Sequence, residues 1–332
     1  MSKPKFVAIS DIHFNVNNLE LATYALNAAI NKAEYLKVTL VIAGDLLDTK
    51  AIIRGEVANR LIKILEYHSL LPIFILPGNH DLINEKGDEN SLNFLNNVAS
   101  VLVVSKPELY HSIYFIPYQN TNEKFKAALC KTPKNCIVVC HQGVQGAFMG
   151  DYVQDKSSVS IEELGSTPII SGHYHRHQTI GPLTYIGSPF THTFGEANDG
   201  PKGFLIVNED GTFTREILDL RKHVKINASI YDKEVIYHEP ASVKSLKPTD
   251  LVWVKILGTK SRLDSINKEA VGKSLLGHSN FKLDLVPLES NIVKSEELIK
   301  LEPNEILDNL IDATKESKEQ KDKLKELYRS LL

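Results

Sequence analysis

Five short motifs contain most of the side chains in this sequence that could perform chemistry. In chain order they are Asp11-Ile12-His13, Gly44-Asp45, Gly78-Asn79-His80-Asp81, the single His141, and Gly172-His173-Tyr174-His175. Aspartate, asparagine and histidine side chains form a mixed oxygen and nitrogen ligand set, which suits manganese, iron or zinc. Two such cations held close together would form a clamp for phosphoryl chemistry, and one aspartate could bridge them.

Taken one at a time, these motifs carry little information. A lone Asp-x-His or Gly-Asp is common, Gly-Asn-His-Asp could be a turn before a helix cap, and one histidine could be a hydrogen-bonded core residue. All five, however, follow apolar runs typical of strands, and loops at the carboxyl ends of strands are where α/β folds build their sites. Their conjunction therefore indicates a metal site. If the strands continue through the motifs, a period of two places Asp11 and His13 on one side, and His173 and His175 likewise.

The elements that must position these motifs alternate between strands and helices. Apolar spacing predicts helices at Leu19–Leu36, Val57–Tyr67 and Ser91–Val98. Apolar runs predict strands at Phe6–Ser10, Val38–Ala43, Pro72–Leu76, Ile113–Ile116, Cys136–Cys140, Ile169–Ser171, Thr184–Ile186, Gly203–Val207 and Thr212–Asp219. This order predicts a layered α/β domain, and strand pairs in its second half make the sheets mixed.

Beyond residue 220 the pattern changes. Leu251–Leu257 and Phe281–Val286 are predicted strands on either side of a predicted helix at Ser261–Leu276, which together make a small β-α-β unit. After Pro287 the apolar residues recur at helical spacing. We therefore expect three parts: residues 1–220, residues 221–290 and a helical segment at residues 291–332.

Composition and charge exclude several classes of protein. The chain has 332 residues, 42% of them hydrophobic and 24% charged, with a net charge of -3. These values are typical of a globular protein and exclude a disordered, collagen-like or coiled-coil chain. The charge is unevenly divided, with -5 in residues 1–220, +4 in 221–290 and -2 in 291–332. A phosphate backbone would therefore bind best at the middle segment.

The cysteines and the N-terminus bear on the compartment. Cys130, Cys136 and Cys140 are odd in number and lack the C-x-x-C spacing of a zinc site, so we expect reduced thiols. The first residues contain no apolar stretch followed by a cleavage site. No apolar run is long enough to cross a bilayer. We therefore expect a cytoplasmic location.

The chain resembles the calcineurin-like metallophosphoesterase superfamily, and within it the SbcD-type DNA repair nucleases. The sequences that carry the resemblance are GDLLD at 44–48, GHYHRHQ at 172–178 and YIGSPFTHTFGE at 185–196. The resemblance implies a four-layer α/β sandwich of two mixed sheets flanked by helices. It also implies a small α+β capping domain at 221–290 that binds DNA, and C-terminal helices.

The resemblance further implies a role for each site residue. One metal would be bound by Asp11, His13, Asp45 and His175, and the other by Asp45, Asn79, His141 and His173. His80 would be the catalytic histidine, and Asp48 a further active-site neighbour. Asp81 would orient His80, although its residue type equally fits a helix N-cap. The cofactors would be two Mn²⁺ ions or other divalent transition metals.

The implied activity is that of a manganese-dependent DNA nuclease. It would be a 3′ to 5′ exonuclease on double strands and an endonuclease on single strands, acting in double-strand-break repair, recombination and replication. An SbcC-like ATPase of the SMC family would bind residues 291–332, and no membrane would be involved. A second copy of the chain would bind through helices near 57–67 and 91–98, at Leu61, Leu65, Phe94 and Leu95. Apolar residues at these positions fit the core of a single chain equally well. The setting would be the cytoplasm of a bacterial cell or of a phage-infected host.

Two other functions are compatible with these residues. A metallophosphatase or small-molecule phosphodiesterase would use the same metal core, since the core recognises phosphate rather than what is attached to it. Against a protein phosphatase, the second motif lacks the form G-D-x-V-D-R-G and the third ends in Asp81 rather than glutamate. A non-catalytic DNA-binding scaffold is the other alternative, and the complete set of metal ligands argues against it.

Overall fold

Two six-stranded sheets and one four-stranded sheet make up the part of the chain that the structure describes. The structure is a computed structural model that describes residues 2–84, 86–87, 89–150, 153–231, 234–275, 281–287, 311 and 318–329. The strands are β1 (Pro4–Ile9), β2 (Thr39–Ala43), β3 (Ile73–Leu76), β4 (Val101–Val103), β5 (Glu108–Tyr110), β6 (Ile113–Ile116), β7 (Ile137–His141), β8 (Ile169–Gly172), β9 (Gln178–Ile180), β10 (Leu183–Tyr185), β11 (Gly203–Asn208), β12 (Phe213–Ile217), β13 (His223–Tyr231), β14 (Glu234–Tyr237), β15 (Leu251–Gly258) and β16 (Phe281–Pro287). The α-helices are α1 (Leu19–Leu36), α2 (Gly55–Tyr67), α3 (Asn122–Leu129), α4 (Pro240–Lys244), α5 (Lys260–Leu263), α6 (Lys268–Ser274) and α7 (Lys318–Arg329). Short 3-10 helices lie at Asn93–Asn97, Ile161–Leu164 and Phe194–Glu196.

The first sheet brings three of the five motifs to one edge. Its strand order is β12-β11-β1-β2-β3-β4. Strands β1 to β4 run parallel, and β11 is antiparallel to both of its neighbours, β1 and β12. Ile9 pairs with Ile42, and Ala43 pairs with Leu76. Because β1, β2 and β3 end in register at the same edge, the loops that follow them begin side by side.

The second sheet brings the remaining two motifs to one edge. Its order is β5-β6-β7-β8-β10-β9, with β6, β7, β8 and β10 parallel. His141 is the last residue of β7 and pairs with Gly172, the last residue of β8. The loop that contains His173 and His175 therefore starts directly beside His141.

The two sheets pack face to face. Phe6, Val41 and Phe74 of the first sheet lie in one buried cluster with Phe115 and Val139 of the second. Phe74 and Phe115 have ring centroids 5.1 Å apart, which is a normal aromatic contact. This layer holds the two edges that carry the motifs close to each other.

Helices cover the outer faces of both sheets. Val7 and Ile9 of β1 pack with the buried faces of α1 and α2, and Phe125 of α3 packs with Val138 of β7. Because both faces of the central strands are buried, these strands are continuous apolar runs rather than alternating patterns. The order of layers is helix, sheet, sheet, helix, and the predicted four-layer α/β sandwich with mixed sheets is confirmed.

The apolar residues expected at a dimer contact belong to this core. Leu61 and Leu65 of α2 are fully buried, as is Leu95, and Phe94 is partly buried against the same cluster. These side chains therefore stabilise the fold of their own chain and do not form an exposed surface.

The chain divides into two compact units. One comprises Met1–Val224 with Thr249–Leu251, and the other comprises Lys225–Pro248 with Val252–Leu332. The second unit contains the sheet β14-β13-β15-β16, in which β15 and β16 are parallel. Within the predicted helical segment 291–332, only residues 311 and 318–329 are among the described residues.

The structure corrects three details of the predicted elements. Ser91–Val98 is a 3-10 helix at Asn93–Asn97. Ser261–Leu276 is two helices, α5 and α6, because the Asn267 side chain accepts the Glu269 N–H and starts a new helix. The second unit also gains the antiparallel pair β13 and β14, which sequence reasoning did not predict.

None of the helices among the described residues is both long enough and apolar enough to cross a membrane.

Asp155 anchors the loop that follows His141. Its carboxylate accepts hydrogen bonds from the Tyr174 hydroxyl at 2.6 Å and from the N–H groups of Ser157 and Ser158 at 2.8 and 3.0 Å. Burial alone raises the pKa of Asp155, but hydrogen bonds from Ser158, Tyr174 and Ser157 outweigh burial and lower the pKa to about 2. The ionised carboxylate therefore stabilises the folded chain.

We expect Asp155→Asn to lower the free energy of unfolding by about 2 kcal/mol at neutral pH, since one pKa unit corresponds to about 1.4 kcal/mol. A lowered folded-state pKa stabilises above the ordinary pKa of 3.8, and this stability is lost as the pH falls towards about 2. Urea unfolding of both proteins between pH 3 and 7 measures the difference. A difference that does not shrink below about pH 4 would contradict this account.

Candidate metal centre

The backbone of the ligand loops adopts a left-handed conformation at four candidate ligands. Asp11, His13 and Asp45 have φ of 52°, 50° and 50°, and His173 has φ of 97°. Residues other than glycine adopt this region at some cost, and such strain is concentrated at functional sites. Strand β1 ends at Ile9, before Asp11, and β8 ends at Gly172, before His173. The condition for strand alternation is therefore not met, and left-handed turns bring Asp11 and His13 together instead.

Hydrogen bonds between loops extend the parallel pairing of β1 and β2 into the site. The N–H groups of Asp11 and His13 donate to the carbonyls of Gly44 and Asp45 at 3.1 and 3.0 Å. The N–H of Phe14 donates to the carbonyl of Leu46 at 2.8 Å. The loops after the first two strands are thus fixed against each other along their length.

Asp11, His13 and His175 form one group of converging ligand atoms, all within 4.8 Å of one another. The Nε2 atoms of His13 and His175 are 3.1 Å apart. The Asp11 carboxylate also accepts the N–H of His173 at 3.0 Å, which ties the first sheet's loop to the second sheet's loop. The site is therefore assembled from both sheets.

Asp45, Asn79, His141 and His173 form the adjoining group. Nε2 of His141 lies 3.3 Å from Asp45 Oδ2 and 3.2 Å from Asn79 Oδ1. Nδ1 of His173 lies 2.9 Å from the same Asn79 oxygen. Nε2 of His13 is 3.7 Å from Asp45 Oδ2, so Asp45 lies between the two groups.

The donor chemistry of these atoms fits divalent cations. Nδ1 of His141 donates to the Ala43 carbonyl at 2.9 Å, so the Nε2 of a neutral His141 presents its lone pair to two oxygens. Acceptors that face one another in a buried pocket require a positive charge between them, which is either a proton or a metal ion. Imidazole and carboxylate ligands suit manganese, iron and zinc.

The pKa values of the histidines reflect the same crowding. Burial lowers the pKa of His13 and of His173 to about 3, so both are neutral and able to act as ligands. Burial also lowers the pKa of His141, but the charge of Asp45 outweighs it and raises that pKa to about 9. Burial raises the pKa of Asp45, yet the neighbouring His141 and His13 hold it well below its ordinary value.

His80 is half-buried beside His13 and Asp48. Its Nδ1 donates to the Asp48 carbonyl at 2.9 Å, and its backbone N–H donates to Asp45 Oδ1 at 2.9 Å. Its ring is edge-on to that of His13, with centroids 4.8 Å apart. Oδ1 of the Asp48 carboxylate lies 3.7 Å from Nδ1 of His13. Asp48 therefore orients His80 through its main chain.

Asp81 acts on the loops rather than on the His80 ring. Its fully buried carboxylate accepts the N–H of Leu47 at 3.0 Å and the N–H of Gly78 at 2.8 Å. Burial and the nearby charge of Asp45 raise the pKa of Asp81 to about 7. No helix begins at Asp81 in the described residues, so the N-cap alternative is wrong. The expected orientation of His80 by Asp81 is indirect, because Asp48 holds the ring.

Three residues at the site were missed by sequence reasoning. Nε2 of His192 donates to the Asp11 carbonyl, 2.9 Å away, and the ring centroid of His192 is 5.1 Å from those of both His13 and His175. Glu196 lies 3.1 Å from Nδ1 of His175. The half-buried Tyr118 ring lies 6.0 Å from His173. His192 and Glu196 lie in the sequence 185–196 that carries the family resemblance, and this could have identified them. Nothing in the sequence distinguishes Tyr118.

Two glycines make the close approach of the loops possible. A Cβ on Gly44, which has φ of 91°, would lie 2.1 Å from Nδ1 of His141. A Cβ on Gly78 would lie 2.2 Å from Oδ1 of Asp45 and 2.4 Å from its nitrogen. Any side chain at either position would displace a ligand.

The fold and this ligand set define a phosphoesterase. The sequence pattern of the calcineurin-like phosphoesterase family matches residues 4–177, which is more than half of the chain, and the protein belongs to that family. The match spans every motif residue from Asp11 to His175. The family uses divalent metals, and the candidate ligands of this chain lie within the matched region.

Two known proteins are similar to the chain. Putative phosphoesterase 244L of Invertebrate iridescent virus 6 is 28% identical over 268 residues, which cover 74% of this chain and 93% of the viral protein. The crystal structure of the nuclease MPE of Pseudomonas putida aligns with a TM-score of 0.34 and 13% identity. That alignment covers 64% of this chain and 87% of the other.

We expect Gly78→Ala to weaken divalent-metal binding by at least about tenfold, because the new methyl group displaces Asp45, and supporting changes at metal sites have effects of this size. It should also destabilise the fold by about 1–3 kcal/mol through overpacking. Calorimetric titration with Mn²⁺ and urea unfolding measure the two effects.

The matched control is Gly55→Ala, at the first residue of α2, where a Cβ would meet nothing within 4 Å. This variant should bind metal as the wild type does. Equal metal affinity in the two variants would refute the steric argument.

Proposed function

We propose that the protein is a manganese-dependent DNA nuclease that uses two cations to hydrolyse phosphodiesters. The observation that carries the proposal is the convergence of seven ligand side chains from two sheets beside His80. Asp11, His13, Asp45 and His175 would hold one cation, and Asp45, Asn79, His141 and His173 the other. Bound cations of this kind lower the pKa of a water molecule and neutralise charge on a phosphoryl group.

His80 is the residue best placed to assist the leaving group. Its Nδ1 proton is committed to the Asp48 carbonyl, so a proton delivered to substrate must come from Nε2. An imidazole that carries a proton on Nε2 can release it to the sugar oxygen of the leaving group. Asp81 supports this step by fixing the turn from Gly78 that presents His80.

DNA is proposed as the substrate because of the sequence resemblance and the positive charge of residues 221–290. The sequences at 44–48, 172–178 and 185–196 resemble those of SbcD-type nucleases, and residues 221–290 carry a net charge of +4. The proposed activities are 3′ to 5′ exonuclease on double strands and endonuclease on single strands, in cytoplasmic break repair. Oxygen and nitrogen ligands support Mn²⁺ as the cation.

To test the role of His80, the cleavage rate and the metal content of His80→Ala are compared with those of the wild type. We expect normal metal content and a cleavage rate lowered by about 10²–10⁴-fold, the usual contribution of general acid catalysis. Asp45→Asn should instead lose metal. His68→Ala, a histidine at the end of α2 that pairs with Glu34, is the control and should cleave normally. Normal cleavage by His80→Ala would remove this residue from the mechanism.

The substrate class is tested with three substrates under the same Mn²⁺ concentration. We expect duplex DNA and single-stranded DNA to be cleaved with a higher kcat/KM than bis-p-nitrophenyl phosphate. A preference for the small ester, or for p-nitrophenyl phosphate, would favour the metallophosphatase or small-molecule phosphodiesterase alternative. Binding of DNA without turnover would favour the non-catalytic scaffold.

The proposed partner is an SbcC-like ATPase of the SMC family that binds residues 291–332. The described part of this segment is residue 311 and α7, on which Leu324 is 44% exposed. An amphipathic helix with an exposed apolar residue is a common docking element for a partner's helix. Assembly as a homodimer through the helices near 57–67 and 91–98 is proposed on the resemblance alone, and would have to use residues other than the buried leucines.

Deletion of residues 291–332 should abolish co-purification with the ATPase and leave Mn²⁺-dependent cleavage of a small phosphodiester unchanged, because the metal ligands all lie before residue 176. Pull-down and initial-rate measurements test both effects. Undiminished co-purification would place the partner elsewhere on the chain.

A further inference from the structure

A buried cluster of charged side chains lies behind His175, outside the ligand set. Its members are Glu196, Asp199 and Lys202, whose exposed fractions are 8%, 8% and 6%. The Lys202 ammonium is 3.1 Å from Glu196 Oε2 and 2.9 Å from Asp199 Oδ2. Two carboxylates and one ammonium leave a net negative charge in the protein interior, which is costly unless a further positive charge lies nearby.

His175 is held at two points by this cluster. Nδ1–H of His175 donates a hydrogen bond to Oε1 of Glu196, 3.1 Å away, so Nε2 of His175 is left with a lone pair. Lys202 donates to the main-chain carbonyl of His175 at 2.8 Å. The glutamate thereby fixes the ring and its tautomer, while the lysine fixes the backbone. A carboxylate behind a ligating histidine also makes that histidine a stronger ligand.

Glu196 is itself fixed by further donors. Its Oε2 accepts from the Ser188 hydroxyl at 3.2 Å and from the His192 N–H at 3.2 Å. Ser188 Oγ is also 3.0 Å from Lys202. These contacts fix the orientation of the Glu196 carboxylate. Its Oε1 faces His175, and its Oε2 faces Ser188 and Lys202.

The adjoining ligand group has a different kind of support. Nδ1 of His141 is held by the main-chain carbonyl of Ala43, which is neutral. Its companion His173 is edge-on to His141 and next to the Tyr118 ring. The side chain that supports His175 is thus charged, whereas the group that supports His141 is a backbone carbonyl.

From this asymmetry we propose that Glu196, held by Lys202, is a positioning residue that sets the affinity of one cation only. That cation is the one that Asp11, His13 and His175 would bind, and the inference rests on the two-cation site of the proposed function. The negative charge of the cluster stabilises a positive charge at His175, and the fixed ring directs Nε2 towards the ligands opposite. The cation near Asn79, His141 and His173 does not depend on Glu196.

The test is a stepwise Mn²⁺ titration of the full-length chain, followed by calorimetry and by electron paramagnetic resonance. The variant is Glu196→Gln, which keeps an oxygen that can accept the His175 proton but removes the charge. The control is Glu163→Gln. Glu163 also lies in a short 3-10 helix and pairs with a lysine, Lys126, but has no contact with the candidate ligands among the described residues.

We expect the wild type and Glu163→Gln to bind two Mn²⁺ ions and to give the spectrum of a coupled pair. Glu196→Gln should bind one ion with unchanged affinity and the other roughly 10- to 100-fold more weakly, as for other changes behind metal ligands. Its spectrum at low Mn²⁺ should be that of a single ion. Adding Asn79→Ala to Glu196→Gln should remove the remaining ion, because the two changes affect different cations.

Three results would overturn the inference. The first is that Glu196→Gln binds two ions at wild-type affinity. The second is that Glu196→Gln loses both ions equally. The third is that the double variant still binds the ion that remains in Glu196→Gln. A wild type that binds fewer than two ions would instead overturn the proposed two-cation function, and this inference with it. If Glu196→Gln does not fold, the variant with Glu196→Gln, Asp199→Asn and Lys202→Met removes the three buried charges together, which is less destabilising than leaving one of them unpaired. The same loss of one ion is expected there.

Discussion

The burial of three carboxylates in one small region is the constraint on which the rest of the structure depends. Asp11 and Asp81 are fully buried and Asp45 is 2% exposed. Like charges this close repel, and each loses its hydration, so the unfolded chain would be favoured without compensation. Backbone N–H groups, imidazoles and, in the proposed function, cations provide that compensation. The raised pKa of Asp81 and the lowered pKa of Asp45 are two consequences of this crowding.

The two-sheet architecture explains how such a cluster can form. Three parallel strands of one sheet and two of the other end at facing edges, so ligands distant in sequence meet without long loops. The apolar layer between the sheets, with Phe74 against Phe115, fixes the distance between those edges. A scaffold of this rigidity can hold Asp11 and His173 in left-handed conformations that a flexible loop would leave. The packing that stabilises the core therefore also sets the geometry of the site.

The two halves of the site differ in how they are supported. Asp45 lies between them and is shared, while His141 is supported by a carbonyl and His175 by a buried ion cluster. A dinuclear site with unequal support would fill in sequence rather than at once. His192 and Glu196 belong to the better-supported half, and both come from the segment that follows β10. That segment therefore contributes to the site although the ligand motifs all precede it.

The sequence by itself determined the types of the candidate ligands, their placement after apolar strands and the layered α/β class. Helix α1 has the predicted bounds, because its apolar spacing is unambiguous over eighteen residues. The sequence could not determine that Leu61 and Leu95 are core residues, since apolar spacing is the same on a core face and an interface. Nor could it determine the left-handed turns at Asp11 and His13, or the contact between His175 and Glu196. Those features depend on which strand edges meet, and only the packing of one sheet on the other decides that.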